Sequence, residues 1–285
     1  MQNDSVQSKQ RRPIGVFDSG LGGLTVVREL TAAMPGEDLV YLGDTARVPY
    51  GIKSLQTVRR FALEDASFLA GFEPKMIVVA CNTASAAAID LLEQRCEMPV
   101  ADVIRPGAAA ALAATGGAIG VLATEATIAS GAYQRAILAA DPDRQVLARS
   151  CPLLVPIVEE GRAQDDPIVL HVLTDYLRDL QRARPGALIL GCTHYPLLSE
   201  AIGKLMGPHV PLVSSAQAAA VEVRKRLAAL DLVNPLPTGG TLRCFTTDNA
   251  ERFARLGERF GGRRLESVEY VGTDELEQSL RTLTR

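Results

Sequence analysis

Two cysteines of this chain stand at matching positions, where an apolar run stops and a helical stretch begins. Cys81 lies in the segment VACNTAS, and Cys192 lies in the segment LGCTHYP. A cysteine at a helix N-terminus sits at the positive end of the helix dipole, which favours the thiolate. Both residues are therefore candidate acids or bases. The alternative for Cys81 is a buried small hydrophobic residue beside a helix cap.

Polar residues accompany both cysteines. Asn82 and Thr83 add hydrogen-bond donors beside the free backbone N–H groups of a helix start, which is a suitable place for a carboxylate. His194 follows Cys192 by two residues and is close enough to share a site with it and carry its proton. A structural histidine is the alternative for His194.

A glycine-rich segment, GVFDSGLGGLT, spans residues 15–25. It lacks the Gly-Lys-Ser/Thr element of a phosphate-binding P-loop. Asp18 lies at the turn itself, where its charge would repel the pyrophosphate of a dinucleotide. We therefore expect Asp18 to receive an ammonium group or to assist a neighbouring thiol.

Further polar residues follow other predicted strands. The loop GDTARVPYG at residues 43–51 is rich in polar and turn residues. Thr124 and Thr127 follow a predicted strand, as Asp18 follows the first predicted strand of the chain. Helix capping is the alternative role of these threonines. Glu159 ends another apolar run and is either a ligand group or a solvated loop acid.

The other cysteines, Cys96, Cys151 and Cys244, lack this setting, and we interpret them as structural. The odd total of five and their wide spacing argue against a disulfide framework. No C-x-x-C pair occurs, which disfavours a zinc site, so no metal is expected.

Two equivalent thiols on opposite sides of one carbon would suit inversion of a stereocentre. One removes a proton from one face while the other supplies a proton to the opposite face, and the roles exchange in the reverse direction. Pyridoxal phosphate would need a dedicated lysine, and none of the five lysines stands at a strand end. We expect no cofactor.

Alternating strands and helices must position these residues. Short β-branched runs alternate with Ala/Leu-rich stretches, which is typical of βα units on a parallel sheet. The predicted strands are Ile14–Phe17, Leu39–Leu42, Met76–Ala80, Ala118–Leu122, Gln145–Ala148, Ala187–Leu190, Pro211–Val213, Thr241–Thr246 and Ser267–Tyr270. The predicted helices lie near 22–33, 54–70, 84–95, 105–114, 126–139, 166–182, 196–206, 215–229, 248–259 and 273–283.

A weak internal repeat relates the two cysteine segments. PKMIVVAC ends at Cys81 and PGALILGC ends at Cys192, and IGVF at residues 14–17 resembles IGVL at 119–122. The alternative is that all βα units look alike. The repeat predicts an α/β fold of two pseudo-symmetric domains with mostly parallel sheets flanked by helices, and an active site in the cleft between them. We assign 13–104 plus 214–285 to the first domain and 105–213 to the second.

Composition excludes several functional classes. The 285 residues carry a formal net charge of -3, which gives no reason to expect nucleic acid or an acidic membrane as a partner. No apolar run is long enough to span a membrane. Residues 1–12 are polar and are predicted to form a disordered tail rather than a secretory signal, so a cytoplasmic location is expected.

Six blocks together resemble the bacterial glutamate racemases. They are Ile14–Leu30, Tyr41–Gly51, Val78–Ala86, Gly120–Tyr133, Cys151–Gly161 and Gly191–Leu198. The resemblance covers nearly the whole chain after residue 12. It implies cofactor-independent interconversion of L- and D-glutamate, D-glutamate supply for peptidoglycan, and a homodimer.

The resemblance also implies individual roles. Cys81 and Cys192 match the acid/base cysteines, with Cys81 acting on the D-enantiomer and Cys192 on the L-enantiomer. Asp18, Glu159 and His194 match the polar groups that assist them. The positions that match substrate-binding residues are Ser19, Pro49, Tyr50, Gly51, Asn82, Thr83, Thr124, Thr127 and Thr193. Ala123 departs from the family pattern, where glycine is expected.

Three other functions remain open from the residues. A sister enzyme with the same two cysteines would act on aspartate, a hydantoin or maleate. A redox or metal-binding module would use Cys81, Cys192 and His194. A non-enzymatic protein of two α/β lobes would bind a small ligand without turnover.

Overall fold

The computed structural model describes residues 7–283, and the side chains to residue 280. Residues 1–6 of the predicted tail lie outside this range. Residues 7–10 form a helical turn, α1, so the chain is ordered there, in contrast to the predicted disorder. Lys75 Nζ donates to the Gln10 carbonyl at 2.6 Å, which ties this turn to the first sheet.

Within the described residues, ten strands form two parallel sheets. The strands are β1 (Ile14–Asp18), β2 (Leu39–Gly43), β3 (Met76–Val79), β4 (Val100–Asp102), β5 (Ile119–Ala123), β6 (Val146–Ser150), β7 (Ala187–Gly191), β8 (Leu212–Ser214), β9 (Leu242–Thr246) and β10 (Val268–Tyr270). The first sheet has the order β10-β9-β2-β1-β3-β4 and the second the order β6-β5-β7-β8. The chain enters the second sheet after β4 and returns to the first at β9.

Helices cover both sheets and follow most strands directly. They are α2 (Leu24–Ala33), α3 (Leu55–Ala70), α4 (Asn82–Arg95), α5 (Ile104–Ala114), α6 (Glu125–Ser130), α7 (Ala132–Ala140), α8 (Leu154–Glu159), α9 (Pro167–Ala183), α10 (Ser199–Met206), α11 (Ser215–Ala229), α12 (Ala250–Gly261) and α13 (Thr273–Leu283). Short 3-10 turns occupy Thr45–Arg47, Tyr50–Ile52 and Tyr195–Leu198. The predicted α/β class with two parallel sheets flanked by helices is confirmed.

The central strands are buried along their whole length because helices cover both of their faces, and Asp18 at the end of β1 is their one charged residue. β1, β2, β3, β5 and β7 are buried at every position, as expected of parallel strands with no solvent-facing side. One contiguous cluster of buried apolar side chains includes Ile14 and Val16 of β1 together with Leu188 and Leu190 of β7. The two sheets therefore share a core.

The predicted elements differ from the structure at four places. β4 was not predicted, because three residues that include Ala101 and Asp102 carry almost no strand signal. α8 was also missed, since its six residues are too few to show helical periodicity. The helix predicted over 126–139 is broken at Gly131, whose φ of 67° ends α6. The helix predicted from 196 begins as a 3-10 turn.

No helix among residues 7–283 combines the length and apolar character needed to cross a membrane.

Candidate active site

The two cysteines end up on the walls of one cavity. Cys81 follows β3 in the first sheet and Cys192 follows β7 in the second, and both are buried. Both sheets are parallel, and each thiol lies at the carboxyl end of its strand, where such sheets bind ligands. Cys81 caps α4, since its Sγ accepts a hydrogen bond from Ala84 N at 3.4 Å. Cys192 is instead followed by a 3-10 turn.

Most of the predicted site residues line this cavity. Those on its wall are Ser19, Pro49, Tyr50, Gly51, Cys81, Asn82, Thr83, Thr124, Cys192, Thr193 and His194. Asp18, Thr127 and Glu159 do not reach the wall and lie behind it, in contact with residues that do. Neither Cys96, Cys151 nor Cys244 lines the cavity.

Burial dominates the chemistry of Cys81. Burial and the nearby Asp18 carboxylate raise the pKa of the Cys81 thiol to about 12, although the hydrogen bond from Ala84 N opposes this. The thiol lies 3.8 Å from Ser19 Oγ. The expected lowering of the thiol pKa by the helix N-terminus is therefore outweighed by desolvation of the buried thiol.

Cys192 has a different set of neighbours. His194 Nδ1 lies 3.9 Å from Cys192 Sγ, and His194 Nε2 lies 3.0 Å from Glu159 Oε1. Burial lowers the pKa of His194, but the hydrogen bonds to Cys192 and Glu159 outweigh it and raise that pKa to about 10. Burial would raise the pKa of Glu159, but His194 outweighs burial and lowers that pKa. An imidazolium–carboxylate pair therefore stands beside Cys192.

Asp18 supports the site from behind the wall. It is fully buried and accepts hydrogen bonds from Gly20 N at 3.0 Å and from Thr193 Oγ1 at 3.4 Å. Burial raises its pKa, while His194 and these hydrogen bonds lower it. Gly22 lets this segment pass close to the second half, because a Cβ there would lie 2.1 Å from Thr193 Oγ1.

Three threonine hydroxyls join the two halves at the other side of the cavity. Thr83 Oγ1 lies 2.9 Å from Thr124 Oγ1 and 3.2 Å from Thr127 Oγ1, and the latter two lie 2.9 Å apart. Thr124 also caps α6 by accepting from Thr127 N at 3.3 Å. Thr124 therefore has the predicted capping role, and its hydroxyl also remains in the cluster on the cavity wall.

Asn82 presents an unused donor. Its Oδ1 accepts from Tyr133 OH at 2.7 Å, whereas its Nδ2 is buried and has no hydrogen-bond partner among the described residues. A buried amide donor without an acceptor is unfavourable, which suits a ligand oxygen at this wall.

The loop 48–52 forms the wall nearest the second half. Tyr50 is buried, and Gly51 approaches Thr124 so closely that a Cβ at residue 51 would lie 2.8 Å from Thr124 Cβ. Wall residues that sequence reasoning missed are Val48, Ile52, Glu125, Pro152, Val155 and Pro156. The first three adjoin predicted positions, whereas Val155 and Pro156 lie on the unpredicted α8.

No group of three or more His, Cys, Asp or Glu side chains in the described part of the chain is arranged to hold a metal ion. The polar groups of the cavity wall are instead two thiols, hydroxyls, one amide, one imidazole and the Glu125 carboxylate. This set of groups suits proton transfer to and from a small polar ligand.

The fold and the cavity together define an α/β protein with paired thiols at the ends of two parallel sheets. The chain belongs to the Asp/Glu/Hydantoin racemase family, whose model matches residues 14–223. It is therefore an isomerase, and the resemblance seen in its motifs is confirmed.

Curated and solved relatives agree with this assignment. The chain is 47% identical to glutamate racemase of Geobacter metallireducens over 92% of its own length and 97% of the relative's. The structure matches glutamate racemase of Bacillus anthracis with a TM-score of 0.88 at 39% identity, covering 92% and 98% of the two chains. It also matches glutamate racemase of Francisella tularensis in complex with D-glutamate, with a TM-score of 0.87, 39% identity and coverage of 93% and 99%.

Proposed function

We propose that this chain interconverts L- and D-glutamate by moving a proton at Cα between Cys81 and Cys192, without a cofactor. The observation that carries the proposal is that one cavity is lined by two cysteines, each from the end of a strand in a different sheet. An amino acid between them would present one face of Cα to each thiol.

The surroundings of the two thiols support unequal starting roles. The His194–Glu159 pair places a positive charge beside the Cys192 sulfur. The raised pKa of Cys81 keeps that thiol protonated. Cys192 would therefore begin as the base and Cys81 as the acid. This order matches the direction that the resemblance implies, with Cys192 acting on the L-enantiomer.

Substrate binding would use the polar wall. The unpaired Asn82 Nδ2 is a donor available to carboxylate oxygens, and the hydroxyls of Thr83 and Thr193 on the same wall would turn toward them from Thr124 and Asp18. The ammonium group would bring a positive charge toward Cys81, whose thiolate it would stabilise. Ser19, Pro49, Tyr50, Gly51, Thr124 and Thr127 would complete the binding wall, directly or through the threonine cluster.

The wider role follows from the same resemblance. Relatives named glutamate racemase cover nearly all of the chain, which supports glutamate over other amino acids. We infer that the product D-glutamate is supplied to peptidoglycan synthesis in the cytoplasm and that the chain forms a homodimer. We further infer that residues 13–104 plus 214–285 and residues 105–213 are its two domains.

The decisive test is solvent exchange during inversion. The purified protein is incubated with L-glutamate in deuterated water without added cofactor, and the α-proton is followed by NMR alongside chiral analysis. We expect loss of the α-proton together with formation of D-glutamate. The Cys81→Ser and Cys192→Ser variants should each lose inversion by at least about a hundredfold, whereas Cys96→Ser, away from the cavity, should retain it.

Other outcomes would assign the protein differently. Exchange with aspartate or a hydantoin, but not with glutamate, would keep the mechanism and change the substrate. Glutamate binding without exchange would indicate a binding protein. Inversion that survives loss of either cysteine would overturn the proposed mechanism.

A further inference from the structure

A cluster of charged side chains around Tyr50 lies beneath the loop 48–52, and Tyr50 is its one member that also lines the cavity. Its members, here called the loop cluster, are Asp44, Arg47, Tyr50, Glu64 and Asp65. The side chains of the three acids are at most 1% exposed and that of Arg47 is 11% exposed. Buried charges are retained when they are paired, so the numbers of cations and carboxyl groups in this cluster matter.

The loop cluster contains more acids than cations. The Arg47 guanidinium lies 2.6 Å from Asp44 Oδ2 and 3.2 Å from Asp65 Oδ1, and it also contacts Glu64 Oε2. It stacks on Phe61 with 4.1 Å to the ring centroid. The nearest further cation is the largely exposed Arg60, which lies 3.5 Å from Glu64 Oε1. One buried cation therefore faces three buried carboxyl groups.

The hydrogen count at Tyr50 shows which carboxyl group is uncharged. Tyr50 Oη lies 3.0 Å from Asp65 Oδ2 and also contacts Asp44 Oδ2. A phenol has one hydrogen, so it can donate to only one of these two oxygens. The hydrogen of Tyr50 goes to Asp44, because both oxygens of that side chain already act as acceptors, from Arg47 Nε and from Thr247 Oγ1. The second hydrogen at Tyr50 must then come from Asp65.

We propose that Asp65 is an uncharged carboxylic acid that donates its hydrogen to Tyr50 Oη and so acts as a positioning residue for the loop 48–52. Tyr50 in turn donates to Asp44, and the carbonyl oxygen of Asp65 accepts from Arg47. Every polar atom of the Asp65 side chain is then paired. Burial, together with the Asp44 charge, raises the pKa of Asp65 well above its ordinary value and outweighs the opposing charge of Arg47.

The consequence reaches the substrate cavity through the loop. Val48 to Ile52 line the cavity, and Gly51 packs against Thr124 of the second half. Fixing Tyr50 fixes this wall, whereas Asp65 itself does not touch the cavity. This inference rests on the proposed function for its effect on turnover. Loss of the Asp65 hydrogen bond should therefore raise the KM for glutamate and leave kcat nearly unchanged.

The kinetic test compares two replacements of one residue. Asp65→Asn keeps a donor toward Tyr50 and an acceptor toward Arg47, so its KM should stay within about twofold of wild type. Asp65→Ala and Tyr50→Phe each remove the hydrogen bond and should raise KM about tenfold. The double variant Asp65→Ala/Tyr50→Phe should raise KM by no more than the product of the two single increases. An Asp65→Asn variant as impaired as Asp65→Ala would overturn the proposal.

A second measurement does not depend on activity. The infrared difference spectrum of wild type minus Asp65→Asn at neutral pH should show the carbonyl stretch of a protonated carboxyl group. Glu64→Gln is the matched control, since Glu64 also binds Arg47 but not Tyr50. The Glu64→Gln protein should keep that band, so the difference spectrum of wild type minus Glu64→Gln should not show it. Amide hydrogen exchange of residues 48–52 should accelerate in Asp65→Ala and not in Asp65→Asn. Absence of the band would refute the protonated Asp65 even if glutamate were not the substrate.

Discussion

At the scale of single residues, the two thiols are chemically distinct although their positions match. Cys81 caps a helix and is protonated because of burial, whereas Cys192 stands beside a cation held by Glu159. Similar placement at two strand ends thus does not give the two thiols similar neighbours. The difference arises from residues distant in sequence, which bring one charged partner to Cys192.

Removing the carboxylate partner of His194 should change the pH dependence of turnover. Although burial lowers the pKa of His194, its bonds to Cys192 and Glu159 raise it to about 10. Glu159→Gln keeps a hydrogen bond but removes the charge, so the imidazolium should lose its proton at lower pH. We expect the alkaline limb of the kcat profile to move down by about one pH unit. Glu160→Gln, which alters only an exposed pair with Arg162, should leave the limb in place.

The unpaired amide of Asn82 should matter for binding rather than for proton transfer. Asn82→Ala removes the donor and should raise KM about tenfold, and Asn82→Asp adds repulsion and should raise it further. Steady-state kinetics with L- and D-glutamate measure both effects. Asn249→Ala is the control, because Asn249 caps α12 away from the cavity and should affect only stability. An unchanged KM in Asn82→Asp would exclude the proposed carboxylate contact.

At the scale of elements, the sequence identified the strand ends better than the surroundings of the site. Cys81 and Cys192 were found because each follows a long apolar run, and such runs are local signals. Val155 and Pro156 were missed because α8 is one short helix. The link between Asp44 and Asp65 through Tyr50 was also missed, since it depends on α3 packing against the loop after β2 rather than on any local pattern.

The contact between the loop 48–52 and α6 predicts the effect of one methyl group. Gly51→Ala would place a Cβ 2.8 Å from Thr124 Cβ, so the loop must move away from the second half. We expect KM to rise about tenfold with little change in melting temperature. Gly203→Ala in α10 is the control, since its nearest neighbour would be Leu212 Cδ1 at 3.7 Å. That variant should be stabilised by about 0.5–1 kcal/mol.

At the scale of the whole molecule, the two sheets are joined by one buried core. Side chains of β1 and β7 belong to the same apolar cluster, which also includes Leu227 of α11. The two sheets are therefore packed together and not merely connected by the chain. The alternation of strands and helices predicted both sheets, whereas this shared core depends on how they pack and left no local signal.

The shared core predicts a single cooperative unfolding transition. Calorimetry should give one peak whose calorimetric and van't Hoff enthalpies agree. A fragment of residues 105–213 alone should not show a cooperative transition, because it would expose apolar surface that α11 now covers. Two resolved peaks for the full chain would show that the halves unfold independently.

The protonated Asp65 predicts how stability depends on pH. Its pKa is raised above the ordinary value of 3.8 on folding, so the folded chain binds a proton that the unfolded chain lacks at neutral pH. The stability from this proton is complete below pH 3.8 and is lost as pH rises toward the folded pKa. Urea unfolding of Asp65→Asn should therefore show a stability advantage over wild type that grows from pH 4 to pH 8. A constant difference would contradict an uncharged Asp65.

Mirror symmetry limits how far the unequal surroundings of the two thiols can change the kinetics with the two enantiomers. Enantiomers have the same free energy in water, so the equilibrium constant between them is one whatever the protein does. A catalyst cannot change that constant, and kcat/KM must therefore be equal for the two hands of the substrate. The His194–Glu159 pair on one wall can make kcat and KM differ between the two enantiomers, but kcat and KM must then differ by the same factor. A substitution on either wall must slow both directions of kcat/KM by one common factor.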